Sequence, residues 1–251
     1  MSTLKDNPNN VAESEGSYFD SFVSSEGEFN PFLERGWNTI RRRFIEMVSP
    51  KENSALLDVG CGTGQSFQLY DGYVSQRYVG IDLSQEALNR AKTRLPTQEW
   101  IHADACALPF ADETFDIVAF SSVLHHIPDY GLAIAEARRV LKPGGKVFAF
   151  DPNILHPAMA LFRNPESKFY NPVGVSPNER PLHPNALRSA FEAANLTNIK
   201  QRAQSDIPYR AVGPKEMNRF LALYNIGDRL WEGIGLGKRY GTFVITVGQK
   251  S

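Results

Sequence analysis

Residues 55–64 constrain this chain more than any other stretch. An apolar run from Ala55 to Val59, interrupted only by Asp58, breaks into three alternating glycines, Gly60, Gly62 and Gly64. Apolar runs bounded by glycine read as buried strands, and this one feeds a tight turn and then a helix opening near Thr63 or Gly64. Without a Cβ, the glycines reach positive φ and let backbone amides approach a ligand closely. The helix that follows aims its free N–H groups at the same place. Dinucleotide-binding turns follow G-x-G-x-x-G instead. Here Gln65 stands at the third place of that pattern, and the third glycine comes one residue early.

A second strand, Arg77–Asp82, ends in a carboxylate about 20 residues past the glycines, where an acid can accept hydrogen bonds from ribose hydroxyls. Ser84 can cap the next helix, Gln85–Leu95, which Pro96 stops. Glu99–Ile101 reads as a brief third strand leading to Asp104, and Phe115–Phe120 as a fourth. Ala133, Ala137, Val140 and Leu141 share one helix face. Pro143-Gly144-Gly145 is expected to end that helix, with Lys146–Phe150 as the fifth strand. Strands alternating with helices over about a hundred residues imply a parallel, doubly wound sheet, whose ligands sit beyond the carboxyl ends of the strands.

Four motifs, in order and at fitting spacing, give the chain a family resemblance. They are Asp58-Val59-Gly60-Cys61-Gly62-Thr63-Gly64; Gly80-Ile81-Asp82-Leu83-Ser84; Asp104–Phe110 followed by Phe115-Asp116-Ile117-Val118; and Val140–Lys146. Together they resemble the class I S-adenosylmethionine-dependent methyltransferases, closely over residues 50–150, and within them the small-molecule group containing the ubiquinone and menaquinone methyltransferases. The resemblance implies an α/β Rossmann-like fold: a seven-stranded, mostly parallel sheet with helices on both faces, closed by an antiparallel hairpin from Asn198–Gln204 and Gly241–Val247. It also implies S-adenosylmethionine as cofactor, with S-adenosylhomocysteine as product. The implied cofactor set is Asp58, Gly60, Gly62, Gly64, Asp82, Leu83, Asp104, Ala105 and Ser121, with Tyr18 as a candidate lid contact. Asp82 would take both ribose hydroxyls, Asp104 the adenine amino group, and Ser121 would face the cofactor through its backbone. Asp58 reads as orienting the glycine turn, and Asp116 as a strand-entry residue.

Methyl transfer is an in-line displacement that rests on placement. A base is needed only if the acceptor keeps a proton of high pKa. His125 and His126 follow the fourth strand and are the candidates for a base or a pocket wall. Adjacent residues point in different directions, so at most one is expected to face the site. Asp151, His156 and His183 are weaker candidates, and no spacing suggests a metal triad.

The remainder is organised around this core. Residues 1–16 are polar without apolar period and read as a disordered tail. Residues 17–251 read as one domain: a lid and helix over 17–50, a cofactor-binding core over 51–151, and a substrate-facing insert with final strands over 152–251. Asn30-Pro31 reads as a helix start, with Leu33, Trp37, Ile40, Phe44 and Met47 as its stripe. Asn185–Asn195 reads as a helix capped by Asn185 or a residue just before it. Phe162, Phe169, Tyr170, Tyr209, Phe220, Tyr224 and Trp231 either line a pocket for a ring or lipid-like acceptor or pack the core.

A net charge of -1 gives no basic footprint for nucleic acid. Two cysteines, Cys61 and Cys106, suit a reducing compartment. No apolar run reaches membrane-spanning length, so a cytoplasmic protein without membrane insertion is expected. Two other readings share these features: an RNA methyltransferase, and a cofactor-binding regulatory subunit without turnover. Acceptor and oligomeric state are not readable.

Overall fold

In the computed structural model, which describes residues 8–26, 30–74, 76–172, 175–210 and 221–251, seven strands form one sheet in the order β3-β2-β1-β4-β5-β7-β6. They are β1 (Ala55–Val59), β2 (Arg77–Asp82), β3 (Glu99–His102), β4 (Phe115–Ser121), β5 (Leu141–Pro152), β6 (Leu196–Gln204) and β7 (Phe243–Lys250). The first five run parallel, and β7 is antiparallel to both β5 and β6. The strand order reverses between β1 and β4, which places a crevice beyond their carboxyl ends.

The two-residue period of each strand divides the core. Leu57, Val59, Val79, Val118, Phe120, Val147 and Ala149 face one layer. There they pack with Ala133, Ile134 and Ala137 of α5 (Tyr130–Val140), and with Leu187 and Phe191 of α6 (Pro184–Ala193). Leu56, Tyr78, Ile117, Phe148, Phe150, Phe243 and Ile245 face the other layer, under α2 (Glu34–Val48). Phe44 of α2 meets Phe148 edge-on at 5.3 Å. The short α3 (Phe67–Tyr70) and α4 (Gln85–Arg94) flank β1 and β2. Asp116 enters β4 as expected, accepting from the Ala55 backbone at 2.9 Å and from Lys142 at 3.0 Å.

Several boundaries differ from the sequence reading. Residues 8–16 are helical and belong to α1 (Pro8–Glu26) instead of a disordered tail; residues 1–7 lie outside the described ones. The cause is tertiary: Glu15 is buried against a distant loop and anchors an otherwise polar helix. The second helix starts at Glu34, not Pro31. Asn30 spends its carbonyl on the Trp37 indole, and Phe32 is drawn into a bridge with Tyr209, so Leu33 falls outside the buried stripe. Pro143-Gly144-Gly145 does not end α5, which stops at Val140. It forms an irregularity at the entry of β5, with Gly144 at φ +79°. The cap of α6 is the His183 ring, accepting from Asn185 N–H. Beyond β6, α7 (Leu221–Gly233) and α8 (Gly237–Tyr240) occupy a stretch for which the sequence reading names no helix. No helix among the described residues is long and apolar enough to cross a membrane.

Candidate functional site

The glycine turn follows β1 directly. Gly60 adopts φ +70°, and a Cβ there would stand 2.4 Å from Val123 Cγ2, so both conformation and space exclude a side chain. Gly62, at φ +52°, is different: a Cβ would meet nothing within 4 Å. The turn is therefore closed toward β4 and open at Gly62. Gly64 lies under the Trp100 ring. Asp82 ends β2 and grips the turn from the side. Its Oδ2 accepts from Gly62 N–H at 2.8 Å and its Oδ1 from Ser84 N–H at 2.9 Å. Burial raises the Asp82 pKa, opposed by those amides. A carboxylate has about four acceptor sites, so the two amides leave capacity for a ligand.

Asp58 is fully buried and spends its oxygens internally. Oδ2 accepts from Tyr78 at 2.7 Å and from Ser66, and Oδ1 from Ser121 at 2.7 Å, which itself pairs with Tyr70. Burial pushes the Asp58 pKa up to about 6, against the pull of the three hydroxyls. This network fastens β1, the glycine turn, β2 and the end of β4 to one carboxylate. Ser121 thus turns its side chain inward to Asp58 and Tyr70. Asp104 Oδ1 accepts from Cys106 N–H at 2.8 Å in an Asx turn, leaving Oδ2 for a ligand, while Ala105 packs into the core. Leu83 accepts from His102 through its carbonyl at 2.9 Å.

Helix α1 lies over this edge. Gly16 sits against Leu83, where an added Cβ would be 3.0 Å from the carbonyl oxygen. Asp20 Oδ1 accepts from Ser84 Oγ at 2.6 Å and from Glu86 N–H at 3.1 Å, at the start of α4. Tyr18 is half-buried beside Phe19 and Phe22, its pKa raised by burial and then by the charges of Glu179 and Glu15. Phe19 meets the His126 ring edge-on at 5.2 Å.

The two histidines lie side by side in a single 3₁₀ turn, Leu124–His126, with ring centroids 4.0 Å apart. The sequence reading has adjacent residues pointing apart; the tight turn brings these rings together, and only their partners diverge. His125 Nδ1 pairs with Asp151 Oδ1 at 2.9 Å, and its backbone N–H donates to the same oxygen. His126 Nδ1 lies 3.0 Å from Glu15 Oε1 and 2.8 Å from Ser176 Oγ. Ser176 Oγ donates to Glu15 Oε1, and Asn178 to Oε2 at 2.9 Å. With the hydroxyl proton directed to Glu15, His126 carries its own proton on Nδ1 and keeps Nε2 bare. Burial lowers the His125 pKa to about 4 and also lowers that of His126, so both rings are neutral near pH 7. Burial raises Asp151 well above the carboxylate range, and its Oδ2 is buried without a partner.

Glu15, Ser176, Asn178 and the pairing of Asp151 with His125 are not marked by any local pattern; they come from segments up to 163 residues apart. His156 stands apart, with Nε2 3.9 Å from Asp228 and Nδ1 unpartnered, and its pKa is lowered by burial. Among the variable-half aromatics, Tyr209 is packed against Phe32, Phe243 and Tyr224, whereas Phe162 and Phe169 are exposed. Phe220 lies outside the described residues. Arg163 buries an Nη1 without a partner, and its charge acts on His125, Tyr18 and Tyr209. Among the described residues, no group of three or more His, Cys, Asp or Glu is arranged to hold a metal.

Strand order, crevice and glycine turn together define a class I methyltransferase fold. Comparison with known proteins agrees. The family profile described as "Methyltransferase domain" matches residues 57–149. A demethylmenaquinone methyltransferase of Renibacterium salmoninarum is 32% identical over 218 residues, covering 83% of this chain and 89% of the relative. A Haloferax volcanii chain solved with the Trm112 methyltransferase activator superposes with a TM-score of 0.63 at 20% identity, covering 95% and 96% of the two chains. Phosphoethanolamine N-methyltransferase 2 of Haemonchus contortus, solved with S-adenosyl-L-methionine, gives 0.64 at 15% identity over 99% of this chain and 58% of that one. The chain belongs to the class I S-adenosylmethionine-dependent methyltransferases, and S-adenosylmethionine is its cofactor.

Proposed function

We propose that the protein transfers the methyl group to a small, ring-bearing, lipid-like acceptor, and that the crevice at β1 and β4 holds the cofactor. The likeness to a demethylmenaquinone methyltransferase along most of both chains carries the acceptor class. The open space at Gly62 and the spare acceptor capacity of Asp82 support the cofactor's place. When bound, the cofactor supplies a methyl group made electrophilic by a sulfonium. Asp82 would accept from the ribose hydroxyls, Asp104 Oδ2 from the adenine amino group, and backbone at Gly60, Gly62 and Ser121 would line the rest, with Leu83 and Ala105 against the nucleoside. Asp58 keeps the turn in shape, Gly64 gives Trp100 room, and Tyr18 closes the lid side.

His125 is the base in this reading. Asp151 Oδ1 accepts from His125 Nδ1 as well as from its backbone N–H, which leaves Nε2 bare to take the hydroxyl proton of the acceptor. Arg163 supplies a donor to the acceptor oxygen as charge develops there. His126 serves the lid. Residues 17–50 act as the lid and supporting helix, 51–151 as the cofactor core, and 152–251 as the acceptor side, in a cytoplasmic enzyme whose Cys61 and Cys106 stay free thiols.

The test is release of S-adenosylhomocysteine from an acceptor panel containing reduced naphthoquinols and structured RNA. Turnover is expected on the naphthoquinols. His125→Gln should lower kcat about 10²–10⁴-fold with cofactor affinity unchanged. Turnover on RNA alone, or cofactor binding without product from any acceptor, would overturn the proposal.

A further inference from the structure

Helix α7 is amphipathic in reverse. Asn225, Asp228 and Glu232 face inward, and each accepts from a backbone N–H. Asn225 clamps Tyr209 from both sides, accepting from its N–H at 3.0 Å and donating to its carbonyl at 2.9 Å. Asp228 is buried and accepts from Asp206 N–H at 2.7 Å and Thr242 Oγ at 2.8 Å. Glu232 accepts from Ser205 N–H at 3.3 Å. These bonds fix the rotation of the helix about its axis.

That rotation turns the apolar face outward. Leu223, Ile226, Leu230 and Ile234 follow at spacings of three, four and four, one stripe of a helix. They are 69%, 58%, 65% and 69% exposed, with Leu236 exposed at the end. The stripe presents on the order of 500 Å² of apolar surface, at the upper end of what a monomer exposes. It falls short of the roughly 800 Å² per partner in a stable protein interface. Within 221–240 the exposed charges are of one sign: Arg229, Lys238 and Arg239 are exposed, while the acids of that stretch, Asp228 and Glu232, are inward-bonded. Asn153 N–H donates to Thr242, the residue before β7, so α7 sits at the carboxyl edge of the sheet, on the side of the candidate site.

We propose that this face of α7 docks the protein peripherally on an anionic lipid bilayer, with the stripe at the acyl boundary and the three cations among the headgroups. An apolar face rimmed by Lys and Arg matches that interface on both counts. Docking there would bring the acceptor side of the enzyme to the phase that dissolves lipid-like molecules. The inference rests on α7 and the adjoining α8 and holds for any methyl acceptor.

The experiment is cosedimentation of the full chain with vesicles of equimolar phosphatidylglycerol and phosphatidylcholine, against phosphatidylcholine alone. Each cation near an anionic surface contributes about fivefold in partitioning, so binding to the anionic vesicles is expected to be at least about tenfold tighter. The triple variant Leu223→Gln, Ile226→Gln, Leu230→Gln should reduce it about tenfold or more, as should Arg229→Glu with Lys238→Glu. Both should keep wild-type S-adenosylhomocysteine affinity and circular dichroism. No vesicle binding by the wild type, undiminished binding by the triple variant, or a solution dimer dissociated by that variant without any vesicle binding would each overturn the proposal.

Discussion

Replacing Glu15 by alanine should undock α1 while leaving the sheet intact. The Glu15 carboxylate receives Ser176, His126 and Asn178, three donors on two elements remote from α1. Hydrogen bonds to a charged acceptor contribute about 1.5–3 kcal/mol each. Ser176 and His126 keep one another at 2.8 Å, so the variant forfeits roughly two of the three contributions. That is about 3 kcal/mol of docking free energy, or roughly a hundredfold in the population of undocked helix. Asp20, bonded to Ser84 and Glu86 at the start of α4, is a second polar anchor and limits the loss. Hydrogen–deuterium exchange followed by mass spectrometry reads this directly: peptides from 8–26 should lose about a hundredfold of protection, and peptides from β1, β4 and β5 none. Glu15→Gln, which retains Oε1, should lose less. Burial by itself raises the Glu15 pKa, but the bonds to His126, Ser176 and Asn178 outweigh it and hold it below 4.5; His126 is held below 6.5 by burial. Both groups then bind fewer protons docked than free, so docking weakens as pH falls from about 6.5 downward. Wild-type exchange of α1 in folded Glu15→Ala would refute the reasoning.

Three further predictions follow from the site. Gly60→Ala combines a left-handed φ with a 2.4 Å approach to Val123, and should cost about 2–4 kcal/mol in denaturant unfolding together with most cofactor affinity; a wild-type midpoint would contradict the geometry. Asp58 has a pKa raised to about 6 from 3.8, so the folded state binds the extra proton and its contribution is lost as pH rises through that window. Stability should therefore carry a downward component of about 3 kcal/mol between pH 4 and 6, absent in Asp58→Asn, as read by thermal unfolding at stepped pH. Asp151→Asn should lower kcat with KM little changed and alter the acid limb of the pH–rate profile; an unaltered profile would remove Asp151 from the proton path.

Much of this fold is legible in the sequence because its signals are local. The run 55–59, the glycines and the Asp82 carboxylate lie within 30 residues, and the central strands β1 and β4 are nearly continuous in apolar residues, as strands buried on both faces must be. The entry role of Asp116 follows the same logic, whereas the closing hairpin of β6 and β7 is implied by the family resemblance. What escaped depends on partners far along the chain. The polar segment 8–16 has no apolar period, and burial of Glu15 against Ser176 and Asn178 helps to dock it as a helix. Asn30 and Pro31 look like a helix start, but the Trp37 indole and Tyr209 claim that stretch. The Pro143-Gly144-Gly145 sequence punctuates the chain as expected, yet it does so inside β5, because β4 pairs with Leu141 before the turn and Lys146 after it. In the same way α7 conceals its polarity, with Asp228 and Asn225 turned inward to backbone that only the tertiary structure brings near. The proposed cofactor contacts sit on contiguous motifs; the Glu15 contacts and the His125–Asp151 pair are products of topology.

The central claim is that the turn at Gly60–Gly64 and the Asp82 carboxylate hold the cofactor. Calorimetric titration with S-adenosylhomocysteine, run on wild type and Asp82→Ala with NADH as control, tests it most directly. The account predicts about micromolar binding of S-adenosylhomocysteine to the wild type, none of NADH, and a loss of at least about a hundredfold in the folded variant, the lower bound for two charge-assisted bonds. Equal affinity in wild type and Asp82→Ala would contradict it.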